Sequence, residues 1–409
     1  MDVDLVAVGA RVRAARDRAG LSQRDVGAVA DIAQSKLHRV ESGQRTNVTL
    51  ADYDRLAQAL GVGLDELLYG SAVEERVLAA ARTSARTRGC TEDDLRAALE
   101  HGIELLKLDD RLDAVVPHLH QEPTRSMPTI SAEGSPRERG KAAAEQVRST
   151  LGFDVAPIAD LVEALEHLTG VDIGTMPLPA GVSGVCATDP ARATSVVLVN
   201  SADVLERQRF TLAHELGHLL FGDATHVDAL NCQRSPQEVL CDEFARQLLI
   251  PFGGVRSWLR RTVGTVDKAQ VDERVMALIA RHFGVSPEAT RIQLDRMGLL
   301  PSLLADIDLP SGRRWAYRYG WGPQFDSDQA AARQPRAPRR MLDRATEAYR
   351  AGKLGVGVLA RLQDRPVAKV EQALAEAGVL VEPAVRRADV GALVARAAAR
   401  GSTTSRPVS

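Results

Sequence analysis

The residues best suited to chemistry form one short run, His214-Glu215-Leu216-Gly217-His218. Histidines four positions apart lie one turn apart on a helix, so both imidazoles leave the same face and can hold one Zn²⁺. Apolar residues at helical spacing over 205–221, with Gly222 just beyond, predict such a helix. Glu215 follows the first histidine and is placed to take a proton from a water at the metal. The run therefore predicts a zinc site with a general base.

A carboxylate further along the chain is the candidate for a third ligand. The run Ser235-Pro236-Gln237-Glu238 begins a second predicted helix. Glu238 also has a purely structural interpretation, because Ser235 as N-cap and Glu238 three residues later can form a capping box. Asp242 lies one turn further on the same face and can orient an imidazole. Two histidines, one glutamate and an open fourth position predict a catalytic Zn²⁺ site, which Mn²⁺ could also occupy in the cell.

The first 70 residues show a different pattern, short amphipathic helices separated by tight turns. Ser22 is suited to begin a helix, a turn follows at Asp31-Ile32-Ala33, and Gly43 is suited to a left-handed helix end. Between Arg11 and Arg45 there are eight basic and four acidic residues, although the whole chain has a net charge of −2. A local basic face favours DNA as the ligand, and a helical bundle that binds protein is the alternative.

Composition limits the remaining possibilities. A chain of 409 residues is too long for one ordinary core and indicates two or three domains. Its four cysteines are scattered, which favours a reducing compartment and argues against a cysteine zinc site. No stretch reaches about 18 consecutive apolar residues, and the N-terminus has no signal-peptide pattern. These features predict a cytoplasmic protein with no membrane partner.

Helical and extended patterns divide the chain into seven segments. Three short runs rich in β-branched residues, at 171–176, 182–187 and 194–200, predict a small sheet. Stretches rich in Pro, Ser, Gly and charge predict linkers. The predicted segments are an N-terminal domain (1–70), a helical connector (71–116), a linker (117–140), a metal-binding domain (141–305), a second linker (306–340), a helical C-terminal region (341–400) and a disordered tail (401–409).

The N-terminal motifs resemble the Xre/Cro family of helix-turn-helix repressors. The matching positions are Leu21-Ser22-Gln23, Ile32, Leu37, Glu41-x-Gly43-x-Arg45 and Leu64-Asp65-Glu66-Leu67-Leu68, with Asp31 where the family often has Gly. The resemblance implies a homodimer on a double-stranded DNA operator, with a recognition helix at about 33–42 in the major groove. Gln and Arg suit base edges, whereas Lys suits phosphates. The candidate DNA-contacting residues are Gln23, Gln34, Ser35, Lys36, His38, Arg39 and Arg45.

The metal-site motifs resemble the ImmA/IrrE family of zinc metallo-endopeptidases over about 141–300. The matching runs are Arg207-Gln208-Arg209-Phe210-Thr211-Leu212-Ala213-His214-Glu215-Leu216-Gly217-His218-Leu219-Leu220 and Glu238-x3-Asp242-Glu243-Phe244-Ala245-x2-Leu248-Leu249-Ile250-Pro251. The resemblance implies a thermolysin-like zincin with His214, His218 and Glu238 as ligands, Glu215 as the catalytic residue and Asp242 supporting an imidazole. Cys241-Asp242 departs from the Ala-Asn frequent in the family. Members of the ImmA/IrrE family cut helix-turn-helix repressors. The resemblance therefore implies a repressor as the protein substrate and a role in stress response.

Together these features predict a multidomain protein: an all-α helix-turn-helix domain, an α+β zincin-like metallopeptidase domain with a small sheet, and a helical C-terminal region. The predicted function is a transcriptional regulator that hydrolyses a peptide bond of a regulatory protein or of itself. Two alternatives stay open, a transcription factor whose zinc domain senses or dimerises without catalysis, and an antitoxin-like binding protein. The composition of residues 117–140 predicts a flexible segment. DNA binding should therefore survive removal of everything after this segment, and cleavage should survive in a chain that starts near Gly140. Any self-cleavage should fall within the segment, because proteases need an extended, exposed stretch.

Overall fold

The structure is a computed structural model that describes residues 5–44, 47–70, 73–74, 77, 92–116, 133–179, 181–222, 226–229 and 235–379. The chain divides into two compact units, Met1–Leu67 with Leu342–Ser409, and Leu68–Met341. The first is helical and the second combines helices with a small mixed sheet, so the predicted fold class is confirmed. Some sequence predictions lie outside the described residues: Arg45, most of 71–91, 117–132 and 380–409.

The chain begins with five helices, α1 (Leu5–Arg18), α2 (Gln23–Ala30), α3 (Gln34–Glu41), α4 (Leu50–Leu60) and α5 (Leu64–Tyr69). The side chains of Ser22 and Thr49 begin α2 and α4 by accepting a backbone hydrogen bond from the third helical residue. Asp31, in the turn between α2 and α3, has a left-handed φ of 52°, which Asp tolerates better than most residues. The shared core of these helices contains Val8, Val12, Val26, Leu37, Leu56 and Leu60.

The second unit is built on a four-stranded sheet of β1 (Asp172–Met176), β2 (Val182–Asp189), β3 (Thr194–Asn200) and β4 (His226–Ala229), in the order β1-β3-β2-β4. β1 runs parallel to β3, and the other two pairs are antiparallel. The first three strands are confirmed. β4 is not predicted from the sequence, because four residues are too few to show a clear alternation. β2 is buried along its whole length, so both faces of the sheet must be covered.

Among the described residues, the helices of this unit with defined ends are α6 (Glu92–Val115), α7 (Pro136–Leu151), α8 (Leu161–Thr169), α9 (Leu205–Leu220), α10 (Pro236–Leu249), α11 (Phe252–Thr262), α12 (Glu273–Phe283), α13 (Pro287–Arg296), α14 (Ser302–Ala305), α15 (Gly312–Tyr319) and α16 (Gly322–Ala332). α7 begins inside the predicted linker at 117–140, because Ser135 and Glu138 form a capping box. Residues 136–140 are therefore helix rather than linker. Within the described ranges, none of the helices is both long and apolar enough to cross a membrane.

Two helices cover opposite faces of the sheet. On β2, a Cβ at Gly184 would clash with Thr211 of α9, whereas the side chain of Ala187 closely approaches Gly102 of α6. Positions 184 and 187 differ by an odd number of residues, and successive strand residues point to opposite faces. The sheet therefore lies between α9, which carries the candidate metal ligands, and α6.

Residues 92–115 are helical, as the sequence predicts, and α6 packs on the sheet as a layer of the second unit. Asp109 of α6 is fully buried and pairs with Arg192, in the turn between β2 and β3, at 2.8 Å. A buried carboxylate of this kind needs such a partner. The apolar face of α6 is buried at Leu99, Ile103, Leu106 and Leu112.

The predicted linker at 306–340 is wrong, because this segment folds onto the second unit. Trp315 and Trp321 lie in its hydrophobic core, as packing residues. The Gln329 side chain of α16 accepts a hydrogen bond from the backbone N–H of Leu205 at 2.9 Å and so caps the start of α9. Low apolar content suggests a linker by composition, but a few large aromatic side chains bury enough surface to order the segment.

The last helices that the structure describes are α17 (Arg339–Arg350), α18 (Val356–Leu362) and α19 (Val367–Glu376). The last two belong to the same unit as α1–α4. Arg361 donates hydrogen bonds of 2.7 Å to the carbonyl oxygens of Leu60 and Gly61, at the C-terminal end of α4. A cation is favourable there because the last carbonyls of a helix carry partial negative charge. The first unit therefore combines both ends of the chain.

Candidate metal centre

α9 carries two histidines and a glutamate on its buried side. His214, Glu215 and His218 are 4%, 0% and 0% exposed. The helix is held against the sheet by buried apolar neighbours, Leu212, Ala213 and Leu216. Polar side chains are stable in such surroundings only when they have hydrogen-bond partners or bind a metal. The two buried imidazoles therefore need polar partners or a metal ion.

α10 supplies a carboxylate to the two imidazoles. Glu238 Oε2 lies 3.3 Å from Nε2 of His214, and Oε1 lies 3.5 Å from Nε2 of His218. The two Nε2 atoms are 3.0 Å apart. Ser235 accepts a hydrogen bond of 3.1 Å from the backbone N–H of Glu238. The structural interpretation of Glu238 thus accounts for its backbone, whereas its carboxylate is directed at the histidines.

This donor set fits a divalent metal ion. One ligand atom each from His214, His218 and Glu238 lies within 4.8 Å of the others. Two neutral imidazole nitrogens and one carboxylate are the ligands that zinc takes at many catalytic sites, where a fourth position stays open. The three side chains come from two packed helices, so their convergence depends on how α9 and α10 cross.

That crossing is close at Gly217. A Cβ there would lie 3.2 Å from Cβ and 3.3 Å from Sγ of Cys241, so a larger residue would push α10 away from α9. At the other end of α10, the buried Arg148 of α7 donates to the carbonyl oxygen of Leu248. Burial lowers the pKa of Arg148 to about 10. These contacts fix α10, and hence Glu238, relative to the histidines.

Asp242, one turn after Glu238, lies on the other side of the first imidazole. Its Oδ1 is 3.2 Å from Nδ1 of His214, while Nε2 of the same ring faces Glu238. A carboxylate at Nδ1 fixes the orientation of a metal-binding imidazole and makes it a better donor. The geometry is that expected of a residue that supports a ligand.

We expect Asp242→Ala to weaken zinc affinity by about 10–100-fold, because the His214 ring loses its support. Affinity would be measured by competition with a chromophoric chelator. Asp295→Ala, at an exposed position on α13, is the control and should bind zinc as the wild type does. Unchanged affinity in Asp242→Ala would contradict the supporting role.

The candidate DNA-contacting residues fall into two groups. Gln23 donates a 2.8 Å hydrogen bond to the buried carboxylate of Glu41, and Lys36 pairs with Asp52 at 2.8 Å. These two side chains are therefore engaged within the domain. The remaining described candidates are exposed on α3: Gln34, Ser35, His38 and Arg39.

Both acidic partners stay ionised. The hydrogen bond from Lys36, followed by the one from the backbone of Thr49, lowers the pKa of Asp52 to about 2. Burial alone raises the pKa of Glu41, but hydrogen bonds from Arg16 and Gln23 outweigh it and hold that pKa below its usual range. The ion pairs connect α1 with α3 and α3 with α4, and the hydrogen bond from Gln23 connects α2 with α3.

Comparison with known proteins adds to this geometry. Residues 7–68 match the family described as a helix-turn-helix domain, and residues 168–295 match the one described as an IrrE N-terminal-like domain. The radiation response metalloprotease IrrE of Deinococcus radiodurans is 34% identical over 173 residues, which are 40% of this chain and 49% of that protein. The match thus spans about half the length of this relative. The chain thus joins a region similar to helix-turn-helix domains to a region similar to the IrrE N-terminal-like domain.

Proposed function

We propose that this protein is a transcriptional regulator whose second unit is a zinc-dependent endopeptidase that cleaves a regulatory protein. The observation that supports catalysis is Glu215, a fully buried carboxylate next to the first candidate ligand. A zinc site that only stabilises or senses needs no general base, and structural zinc sites are usually closed by four protein ligands. Glu215 therefore favours a peptidase over a non-catalytic zinc module. The proposed regulator would also bind DNA through its first unit, and we therefore place the protein in the cytoplasm.

Each residue of the site would have one task. His214, His218 and Glu238 would hold the ion, and Asp242 would orient the first imidazole. A bound Zn²⁺ supplies Lewis acidity, which activates water and polarises a peptide carbonyl. Glu215 would take the proton of the attacking water and return it to the departing amine. Both transfers need a carboxylate held in place, which the buried position on α9 favours.

The proposed substrate is a helix-turn-helix repressor, on the strength of the family resemblance. The name of the Deinococcus relative, a radiation response metalloprotease, suggests a role in stress response. The test is incubation of the zinc-loaded protein with repressors encoded beside its gene, followed by mass spectrometry of the fragments. Fragments made by the wild type and not by Glu215→Gln would support the proposal. Equal fragmentation by both proteins would contradict it.

The sequence predicts that any self-cleavage falls in the 117–140 segment, and the structure indicates what such a cut would do. Residues 117–132 lie between α6 and α7, and both helices belong to the second unit. A cut there would leave α6 packed on the sheet, so it would not by itself release the N-terminal helices. Cleavage of a separate repressor is therefore the form of the proposal that we favour.

For the first unit, we propose that α3 reads a pseudo-palindromic operator as part of a homodimer. Arg39→Ala should change base preference by about 1–3 kcal/mol at one position of each half-site. Lys36→Ala should instead weaken binding to all sequences and destabilise the domain, since Lys36 pairs with Asp52. Selection from a randomised DNA library measures the first effect. Protection of a single unpaired half-site in footprinting would contradict the dimer.

A further inference from the structure

Thr211, on α9, is a buried polar residue to which the proposed mechanism gives no task. Its side chain is 0% exposed, and its hydroxyl has no hydrogen-bond partner among the residues that the structure describes. Buried hydroxyl groups almost always have a partner in folded proteins, so an exception calls for an explanation. Thr211 lies one helical turn before Glu215.

Four other threonines in the described helices satisfy their hydroxyl groups within the helix. A threonine side chain commonly donates to the carbonyl oxygen four residues earlier. Thr211 does not make this bond. Its hydroxyl is therefore available to another acceptor. The threonines that do make the bond, at 2.7–3.1 Å, are Thr150, Thr169, Thr290 and Thr346.

The surroundings of Gly184 on β2 indicate what that acceptor is. A Cβ at Gly184 would clash with Cγ2 of Thr211 and lie 3.3 Å from Oε1 of Glu215. The side chains of Thr211 and Glu215 thus converge on the same glycine. Residues four apart lie on one face of a helix, and helical side chains lean towards the N-terminus. The Glu215 carboxylate is therefore directed back towards the turn that carries Thr211.

We propose that Thr211 is a positioning residue for Glu215. Its hydroxyl donates a hydrogen bond to one water, and that water donates to the Glu215 carboxylate, so the general base is held in the orientation that proton transfer requires. The missing Cβ of Gly184 leaves room for the methyl group of Thr211 beside the Glu215 side chain. This inference rests on the proposed peptidase function and adds a residue to it. Thr211 itself is not a metal ligand.

The test compares full-length Thr211→Val, which keeps the shape of the side chain but loses the hydroxyl, with Thr211→Ser, which keeps the hydroxyl. The probe is a peptide spanning the bond that the wild type cuts. We expect Thr211→Val to lower kcat by about 10–100-fold with KM unchanged, and Thr211→Ser to restore most of the activity. Zinc affinity should be the same in all three proteins, because the ligands are not touched.

Thr290→Val is the matched control, because Thr290 is equally buried and its hydroxyl bonds within α13. It should lower the unfolding temperature without changing kcat. If valine at 211 prevents folding, Thr211→Ala takes its place. Equal kcat in the valine variant and the wild type, or a serine variant as slow as the valine one, would overturn the proposal. So would a loss of zinc affinity parallel to the loss of activity.

A second readout separates this inference from the peptidase proposal. In the Co²⁺-loaded protein, visible absorption reports the surroundings of the ion without any substrate. We expect Thr211→Val to change the bands in the direction that Glu215→Gln does, and Thr211→Ser and Thr290→Val to leave them as in the wild type. Absence of cleavage by the wild type, together with this spectral pattern, would refute the peptidase and keep the link between Thr211 and Glu215. Unchanged bands in Thr211→Val would refute that link.

Discussion

Replacing Glu238 with alanine should abolish stoichiometric zinc binding while α10 stays folded. Glu238 is the one charged group of the candidate ligand set, and two imidazoles alone bind Zn²⁺ far more weakly than three ligands do. Its backbone N–H would still be capped by Ser235, since that hydrogen bond does not involve the carboxylate. Zinc per chain would be measured after dialysis against buffer with micromolar zinc. We expect one ion in the wild type and none in the variant.

The matched control separates the ligand from the helix cap. Ser235→Ala removes the cap and leaves the Glu238 carboxylate in place. It should cost about 1 kcal/mol of stability and keep the zinc. If Glu238→Ala bound zinc as the wild type does and lost only stability, Glu238 would be a capping residue and the site would be wrong.

A chain that begins at residue 133 should fail to fold cooperatively. Without α6 the sheet loses the cover of one face, including several fully buried leucines. Each such side chain contributes about 1.5–3 kcal/mol on burial, and the whole stability of a domain is about 5–15 kcal/mol. Arg192 would also lose its partner Asp109. This expectation replaces the sequence prediction that cleavage survives in a chain starting near Gly140.

The measurement is urea unfolding of residues 133–341 against residues 70–341, which retain α6. We expect a cooperative transition in the longer chain alone. Similar transition midpoints in both chains would mean that α6 is the connector that the sequence suggests. Both chains keep residues 306–340, because Trp315 and the cap from Gln329 belong to the same unit.

The elements of the metal centre are predictable because their signals are local. The spacing of His214 and His218 depends on one helix, and Ser235 marks the start of the next. Whether the Glu238 carboxylate caps its own helix or faces the histidines depends on tertiary structure. It depends on how α10 crosses α9 near Gly217, which no pattern within either helix reveals.

The extent of the second unit is harder to predict, for a related reason. The apolar spacing of α6 predicts an amphipathic helix but not the surface that it covers, so a connector and a sheet layer look alike. The pairings of Lys36 with Asp52 and of Gln23 with Glu41 join residues distant in sequence, and they remove two side chains from the exposed set. Gly184 is a signal in the sequence for the close packing of α9 on β2, since an isolated glycine inside a strand often marks a close backbone approach.

The most direct test of the peptidase is cleavage of a partner repressor by the zinc-loaded wild type and by Glu215→Gln, with zinc content measured on the same samples. We expect one zinc per chain in both proteins and a rate of cleavage lower by about 10²–10⁴-fold in the variant, since glutamine cannot accept the proton. Glu145→Gln, at an exposed position on α7, should cleave as the wild type does. Equal rates in Glu215→Gln and the wild type, with zinc bound in both, would contradict the role of Glu215 and with it the proposed mechanism.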